Sequence, residues 1–529
     1  MNIDSSLLLV AWLVVLAWSV IDAPRFVARA RADAMLFAAL VAVALAARLA
    51  LPWGPLNFVE AERLQALWGT RPAYPPTFDT IPVLLGALRF VGVPAAALAR
   101  TAGPVFGALA VGTAFLLGRA GGLGRAAAAL GAAVLLGFPA HVHFSTSVGF
   151  SVEGPALWTA AYATALSTRL DPRWRVALVA ALTVLGVHAR PEYRLLGVAL
   201  IPLVLTPHWT WRQRGALTAA LAVGMASYAR YLRVDHLAES TSGLSGVFVP
   251  WVFHDLAVNP VWWLVTGALG LVAGRMRWPL RAALGLATGL TLAAYWALAS
   301  DGNPLWGQWR YYVSLVPFLA VAAGSLVEWL PDRASRWRDR AVAALAVATA
   351  ASGIGYLPLL RRPNDLPVEF AWLRETAPRV LRGRPTVLLL ANRRREGESR
   401  VLAEGTPLMA LGTTVGPTDW PRRCDERVNP GAPRGMDVRD LEEWALRCPT
   451  AEGFDPTRAV VYLGLYRPDE RVAALTARWR LMPLEERVTS VAVTAPAVDT
   501  ACPVEPGTLI GSAQPDCTVR LGWYRLVPR

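Results

Sequence analysis

Apolar stretches of bilayer length, parted by short connections that gather the basic residues, constrain this chain more than any other feature. Ala34–Leu51, Ala282–Ala299 and Ala341–Leu360 each approach the roughly 20 apolar residues needed to cross a hydrocarbon core. Of the 529 residues, 54% are hydrophobic and only 17% charged, below the about 25% usual for soluble domains. Charges are sparse before residue 361 and dense after it. The expected fold is therefore mainly α: a polytopic helical membrane part over 1–360, followed by a soluble α/β part over 361–529.

The net charge is +14 and every basic residue is arginine. No basic patch interleaved with aromatics suggests nucleic-acid binding. The arginines sit in short connections instead: Arg25, Arg29 and Arg31; Arg119 and Arg125; Arg169, Arg173 and Arg175; Arg212 and Arg214; Arg275, Arg277 and Arg281; and Arg333 to Arg340. The positive-inside rule makes these connections cytoplasmic. Glu60, Glu62, Asp79, Glu153, Asp235, Glu239, Asp255 and Asp301 then face outward, as does the tail. The alternation predicts about twelve spans in an inner membrane, with the C-terminal domain periplasmic. The first span, Ser6–Val20, reads as retained, because Met1-Asn2-Ile3-Asp4 lacks the positive start of a secretory signal.

One apolar stretch breaks the alternation. Ile81–Leu98 contains Arg89, Gly92 and Pro94, so it is expected to lie in the outer interface. It sits within a first outer loop over 52–99. The cysteines give an independent sign of sidedness: Cys424, Cys448, Cys502 and Cys517 all lie in the tail. An even count there reads as disulfides in an oxidising compartment, with Cys424–Cys448 and Cys502–Cys517 as the expected pairs. Their spacing is unlike that of zinc ligands. Within the tail, Thr386–Ala391 and Ala459–Gly464 read as buried strands, and Asp437–Arg447 and Asp469–Trp479 as helices.

Four polar clusters collect at the outer ends of spans. Glu60 and Glu62 fall on different faces if their segment is helical. His141 and His143 lie at a span end, with Glu153 opening the next span. Their i, i+2 spacing diverges on a helix, so hydrogen bonding or acceptor support is the simpler role. A divalent metal is possible there but nothing in the spacing demands one, and no cofactor is expected. His188-Ala189-Arg190-Pro191-Glu192-Tyr193-Arg194 joins two spans with hardly any loop, and Pro191 should break the helix. Gln308-Trp309-Arg310-Tyr311-Tyr312 precedes a late span. Arginines suit bidentate phosphate contacts, and a carboxylate suits general-base work on a hydroxyl.

Pro75-Pro76 followed by an interfacial stretch, then Ala99-Arg100-Thr101-Ala102-Gly103-Pro104-Val105-Phe106-Gly107-Ala108-Leu109, resembles the GT-C superfamily of lipid-linked-sugar glycosyltransferases. The protein O-mannosyltransferase and aminoarabinose-transferase branch is nearest in pattern. The likeness continues through Leu117-Gly118-Arg119, Gly124-Arg125-Ala126 and Phe138-Pro139-Ala140-His141-Val142-His143-Phe144-Ser145. It returns at Arg310-Tyr311-Tyr312-Val313-Ser314-Leu315-Val316-Pro317. The resemblance implies transfer of a sugar from a polyprenyl-phosphate donor to an extracytoplasmic glycan, lipid or protein acceptor, by a single inverting displacement. It also implies a first-loop acid as base, where Val59 occupies the usual aspartate position and Glu60 or Glu62 would serve. Arg190, Arg310, Tyr311 and Arg89 would hold the donor phosphate. The departure at Val59 leaves open a non-catalytic relative that binds polyprenyl phosphate or organises a cell-envelope polysaccharide complex. A transporter would show internal repeats, and none is evident.

Overall fold

The computed structural model describes residues 3–51, 80–146, 152–226, 261–298, 313–329, 335–361, 366–382, 386–391, 455–465, 475–491 and 517–529. The described residues divide into two compact units, one drawn from 3–51, 80–91 and 100–360, the other from 92–99 and the described part of 361–529.

The first unit is helical throughout. It opens with α1 (Ile3–Ile21), α2 (Ala23–Arg29) and α3 (Arg31–Ala50), then α4 (Thr80–Phe90) and α5 (Ala95–Ala120). Next come α6 (Arg125–Gly137), α7 (Pro139–Ser145), α8 (Glu153–Leu166) and α9 (Pro172–Ala189). A 3-10 turn (Pro191–Arg194) leads into α10 (Leu195–Val198), α11 (Ile201–Val204) and α12 (Trp211–Ala226). The rest are α13 (Val261–Ala273), α14 (Trp278–Leu298), α15 (Val316–Ser325) and α16 (Ser335–Arg361).

Among the described residues, Arg31–Ala50 and Arg100–Ala120 are long and apolar enough to cross a bilayer. Two bent pairs raise that to four if each is one span: Ser6–Ile21 with Ala23–Arg29, bent by 50°, and Arg125–Gly137 with Pro139–Ser145, bent by 63°. Leu13, Leu16, Val43, Val265 and Leu269 are exposed, an outward apolar surface that water would not favour. Where helices meet, glycines let the backbones touch. A Cβ at Gly131 of α6 would lie 2.8 Å from the Ala320 carbonyl oxygen of α15, and one at Gly324 would lie 3.0 Å from the Gly131 nitrogen. Close approach through small residues is how helices associate where water cannot drive them together.

The arginine-bearing connections are tied to one carboxylate. Asp33, at the start of α3 and 4% exposed, pairs with Arg119 at 3.3 Å, Arg125 at 2.7 Å and Arg169 at 3.0 Å. Arg29 adds a bond to the Arg169 carbonyl at 3.2 Å. Two connections far apart in sequence thus converge on a single buried acid at the start of α3.

The helix within the apolar stretch expected at the interface is shorter than the apolar pattern suggested. Instead of running from Ile81 to Leu98, α4 ends at Phe90, and Ala95 already belongs to α5. Gly92 takes φ +95°, a conformation that costs glycine little and other residues much, and Pro94 follows.

The second unit combines α17 (Leu366–Val380) with a four-stranded sheet of β1 (Thr386–Ala391), β2 (Ala459–Leu465), β3 (Trp479–Val491) and β4 (Cys517–Pro528). The strand order is β1-β2-β4-β3. β1 and β2 are parallel, while β4 runs antiparallel to both its neighbours. Trp372 of α17, Tyr462 of β2 and Trp523 of β4 form an aromatic core with centroids 5.0–6.3 Å apart. The Trp523 indole N–H donates to Thr376 Oγ1 at 2.7 Å. Trp479 begins β3, so the helix expected over Asp469–Trp479 is corrected there. β3 carries Pro483 at a register shift, which its edge position and bulge tolerate. The expected helix Asp437–Arg447 lies outside the described residues.

Candidate functional site

The site begins with a buried cation. Arg48 lies in the last turn of α3 and is only 1% exposed. Its Nη1 donates to the Ala44 carbonyl at 3.1 Å, and its Nη2 lies 2.9 Å from His141 Nδ1 on α7. Among the described residues no carboxylate lies within ion-pair distance of it. A guanidinium has only donors, so His141 Nδ1 must be the acceptor, which puts the ring's proton on Nε2. His141 is then neutral, with its own donor left over. Both Arg48 Nε and His141 Nε2 are buried without a hydrogen-bond partner among the described residues.

Sequence and packing hold this pair in place. Pro139 opens α7 after Phe138 adopts an extended conformation, bending the chain so that His141 turns toward α3. Ser145 Oγ donates back to the His141 carbonyl. A Cβ at Gly107 of α5 would overlap Ser145 and sit 2.8 Å from Arg48 Nε, so glycine alone lets α5 pass so close. The neighbouring Phe106 packs edge-on against Trp12 of α1, with centroids 6.2 Å apart.

From Trp12, contacts run on to the end of α9. The Trp12 indole N–H donates to the Thr80 carbonyl at 3.0 Å, and Thr80 Oγ1 donates to the Leu185 carbonyl at 2.7 Å. Thr80 is fully buried, so α4 is pinned at its first residue between α1 and α9. α9 stops at Ala189, and Arg190 is extended at φ −156°, ψ 145°, because a residue before proline is barred from the helical region. His188 is buried, with Nε2 3.3 Å from the Gly224 carbonyl. The Arg190 guanidinium lies 5.8 Å from the Tyr193 ring centroid. A Cβ at Gly154 would overlap that ring, so the start of α8 rests on Tyr193. Glu153 precedes it, buried in the first turn of α8, where the helix dipole favours an acid.

Of the residues singled out by sequence, His141 belongs to the Arg48 pair. Arg190 and Glu153 flank Tyr193 from α9 and α8. His143 is buried one residue pair along α7, edge-on to Phe144 at 5.4 Å, and the helix turns it away from His141. Arg89 is exposed in the last turn of α4. Glu60, Glu62, Arg310 and Tyr311 lie outside the described residues, as do Cys424, Cys448 and Cys502. Cys517 is the first residue of β4. Among the described residues there is no group of three or more His, Cys, Asp or Glu placed to hold a metal ion. Arg48 is the member that the sequence reading passed over. Its signal was an ionisable group inside an apolar span, which is costly enough to imply a use.

No family model matches the chain, and no curated protein does. Among solved structures it is similar to ArnT from Cupriavidus metallidurans in the apo state. That alignment covers 93% of this chain and 98% of that one, with 16% identity and a TM-score of 0.44. The same protein bound to undecaprenyl phosphate aligns over 92% and 97%, again at 16% and 0.44. Arabinofuranosyltransferase AftD from Mycobacteria aligns over 94% of this chain and 41% of its own, at 15% identity and a TM-score of 0.45. At such identities and TM-scores the likenesses say nothing about individual residues.

Proposed function

We propose that this protein is an inner-membrane glycosyltransferase that moves a sugar from a polyprenyl-phosphate donor to an acceptor outside the cytoplasm. The observation that carries this reading is the buried Arg48–His141 pair. It offers two donors and a positive charge that have no acceptor and no carboxylate beside them among the described residues, four residues before the segment that holds Glu60 and Glu62. Desolvated donors of this kind are worth most where negative charge develops.

In the proposed reaction, Glu60 or Glu62 takes the proton of an acceptor hydroxyl. The hydroxyl oxygen attacks the anomeric carbon, and the bond from that carbon to the phosphate oxygen breaks. The electron pair leaves with the lipid phosphate, and the anomeric centre inverts. Arg48 and His141 meet the leaving phosphate, with Arg190, Arg310, Tyr311 and Arg89 as further contacts from neighbouring segments. Glu153 and His143 support the acceptor side. The reading includes about twelve spans, the arginine-bearing connections on the cytoplasmic side, and a periplasmic C-terminal unit whose four cysteines form two disulfides.

Val59, standing where the family has its aspartate, favours a second reading: a relative that binds polyprenyl phosphate without turnover. Membranes carrying wild type, Glu60→Gln and Glu62→Gln, supplied with a panel of labelled polyprenyl-phosphate sugars, separate the two. Sugar release in wild type that one variant abolishes establishes transfer and names the base. Equal release from both variants sinks the glutamate assignment, and lipid binding without release in all three selects the non-catalytic reading.

A further inference from the structure

A large cavity lies beside the Trp12–Phe106 contact, and Arg48 does not line it. It occupies about 540 Å³, inside the about 300–1,000 Å³ range of small-molecule sites. Its walls come from α1, α3, α5, α8 and α9, and its lining is predominantly apolar, with Trp12, Phe37 and Phe106 the largest groups. One end is different: Arg119, Arg169 and Arg277 reach it, together with Asp33. Arg125 joins the same acid at 2.7 Å. Three guanidinium groups therefore share one carboxylate, with Arg277 beside them, and the end keeps a net positive charge. Arg169 is half exposed and Arg277 is exposed, so both have donors to spare.

A further observation points to a ligand. Trp18 lines this cavity, and its indole N–H is buried with no acceptor among the described residues. Arg119 and Arg125 also border a second hollow of about 580 Å³, of mixed polarity, lined by Leu36, Asp339 and Val342. The arginine cluster thus borders one apolar cavity, that of Trp12, Phe37 and Phe106. A free phosphate would not fill that cavity, and a neutral lipid would leave the charge unanswered.

We infer that this arginine end is a binding site for an anionic membrane phospholipid. The head-group phosphate rests on Arg119, Arg169 and Arg277, and an acyl chain enters the cavity beside Phe37 and Phe106. The site lies at the end of the bundle where the arginine connections gather, which is where basic groups meet anionic lipid. It does not depend on the proposed transfer reaction. Its role is to hold the α1–α3 segment against α5 and α8, so its loss should loosen the fold rather than alter the chemistry at Arg48.

The test uses the full chain, purified in mild detergent and delipidated. Native mass spectrometry then follows its uptake of phosphatidylglycerol, phosphatidylethanolamine and a polyprenyl phosphate. Wild type should prefer phosphatidylglycerol over phosphatidylethanolamine by at least tenfold. The Arg169→Gln/Arg277→Gln double variant should lose about thirtyfold in phosphatidylglycerol affinity. Ala160→Phe, on the cavity wall, should weaken uptake while leaving the arginines intact. Equal uptake of the two phospholipids by wild type overturns the proposal, and needs no variant to fold. Displacement of phosphatidylglycerol by equimolar polyprenyl phosphate also overturns it, by assigning the cavity to that lipid. Unchanged phosphatidylglycerol affinity in both variants, each monodisperse, overturns it as well.

Discussion

Replacing Arg48 with methionine separates function from stability, because the two are expected to move differently. The side chain is 1% exposed, hydrogen-bonded to Ala44 and His141, and faces no acid among the described residues. A buried ionic group is expensive to keep, and exchange for an apolar group of similar volume is commonly neutral or stabilising by about 1–4 kcal/mol. Against that, His141 Nδ1 would lose its donor, and an unsatisfied buried acceptor costs about 1–3 kcal/mol. The terms nearly cancel, so stability should stay within about 2 kcal/mol of wild type. The apparent melting temperature in detergent should move by no more than about 5 °C. If Arg48 meets developing phosphate charge, its loss should cut sugar release by about 10²–10³-fold. Where the wild type binds without turnover, the same variant should instead weaken polyprenyl-phosphate binding. Thermal melting and a radiolabelled release or binding assay on one preparation read both quantities. Unaltered release and binding in a folded Arg48→Met protein would falsify the assignment. A melting temperature lowered by 15 °C or more, on the order of the loss seen when a buried pair is broken, would make Arg48 a structural residue.

Gly154→Val should push Tyr193 and its partner Arg190 from their places, since even a Cβ overlaps the Tyr193 ring. Release should fall at least tenfold while Gly285→Ala, whose added Cβ would meet nothing within 4 Å, leaves it intact. Thr376→Val removes the acceptor of the buried Trp523 indole and should cost the second unit about 1–3 kcal/mol, visible as a lower tryptophan-fluorescence melting point. Tyr524, which donates to Glu486, has its phenol pushed up, first by burial and then by that acid. With the folded value above the unfolded one, its stabilising contribution is complete below pH about 10 and fades as pH rises through the raised value. Alkaline titration of tryptophan fluorescence should show this loss in wild type, and Tyr524→Phe should remove that component.

The apolar stretch starting at Ala34 and the arginine-rich connections were visible in the chain itself. A run of apolar residues without water-seeking side chains leaves a helix little alternative. The same holds for β1 and β2, whose short apolar runs read directly as buried strands. β3 was not legible, because Pro483 and its charged neighbours hide an edge strand that only pairing with β4 explains. Nor was the end of α4, where Gly92 and Pro94 outweigh the apolar pattern on either side.

The site divides in the same way. Sequence marked His141, Arg190 and Glu153 because polar groups at span ends stand out against apolar surroundings. Arg48 and Asp33 drew no such notice, since their partners lie 93 and up to 136 residues away. Local composition determined which segments avoid water. Only tertiary packing decided which buried charges meet, because a charge inside an apolar bundle is placed by the partners that repay its desolvation, wherever in the chain they fall.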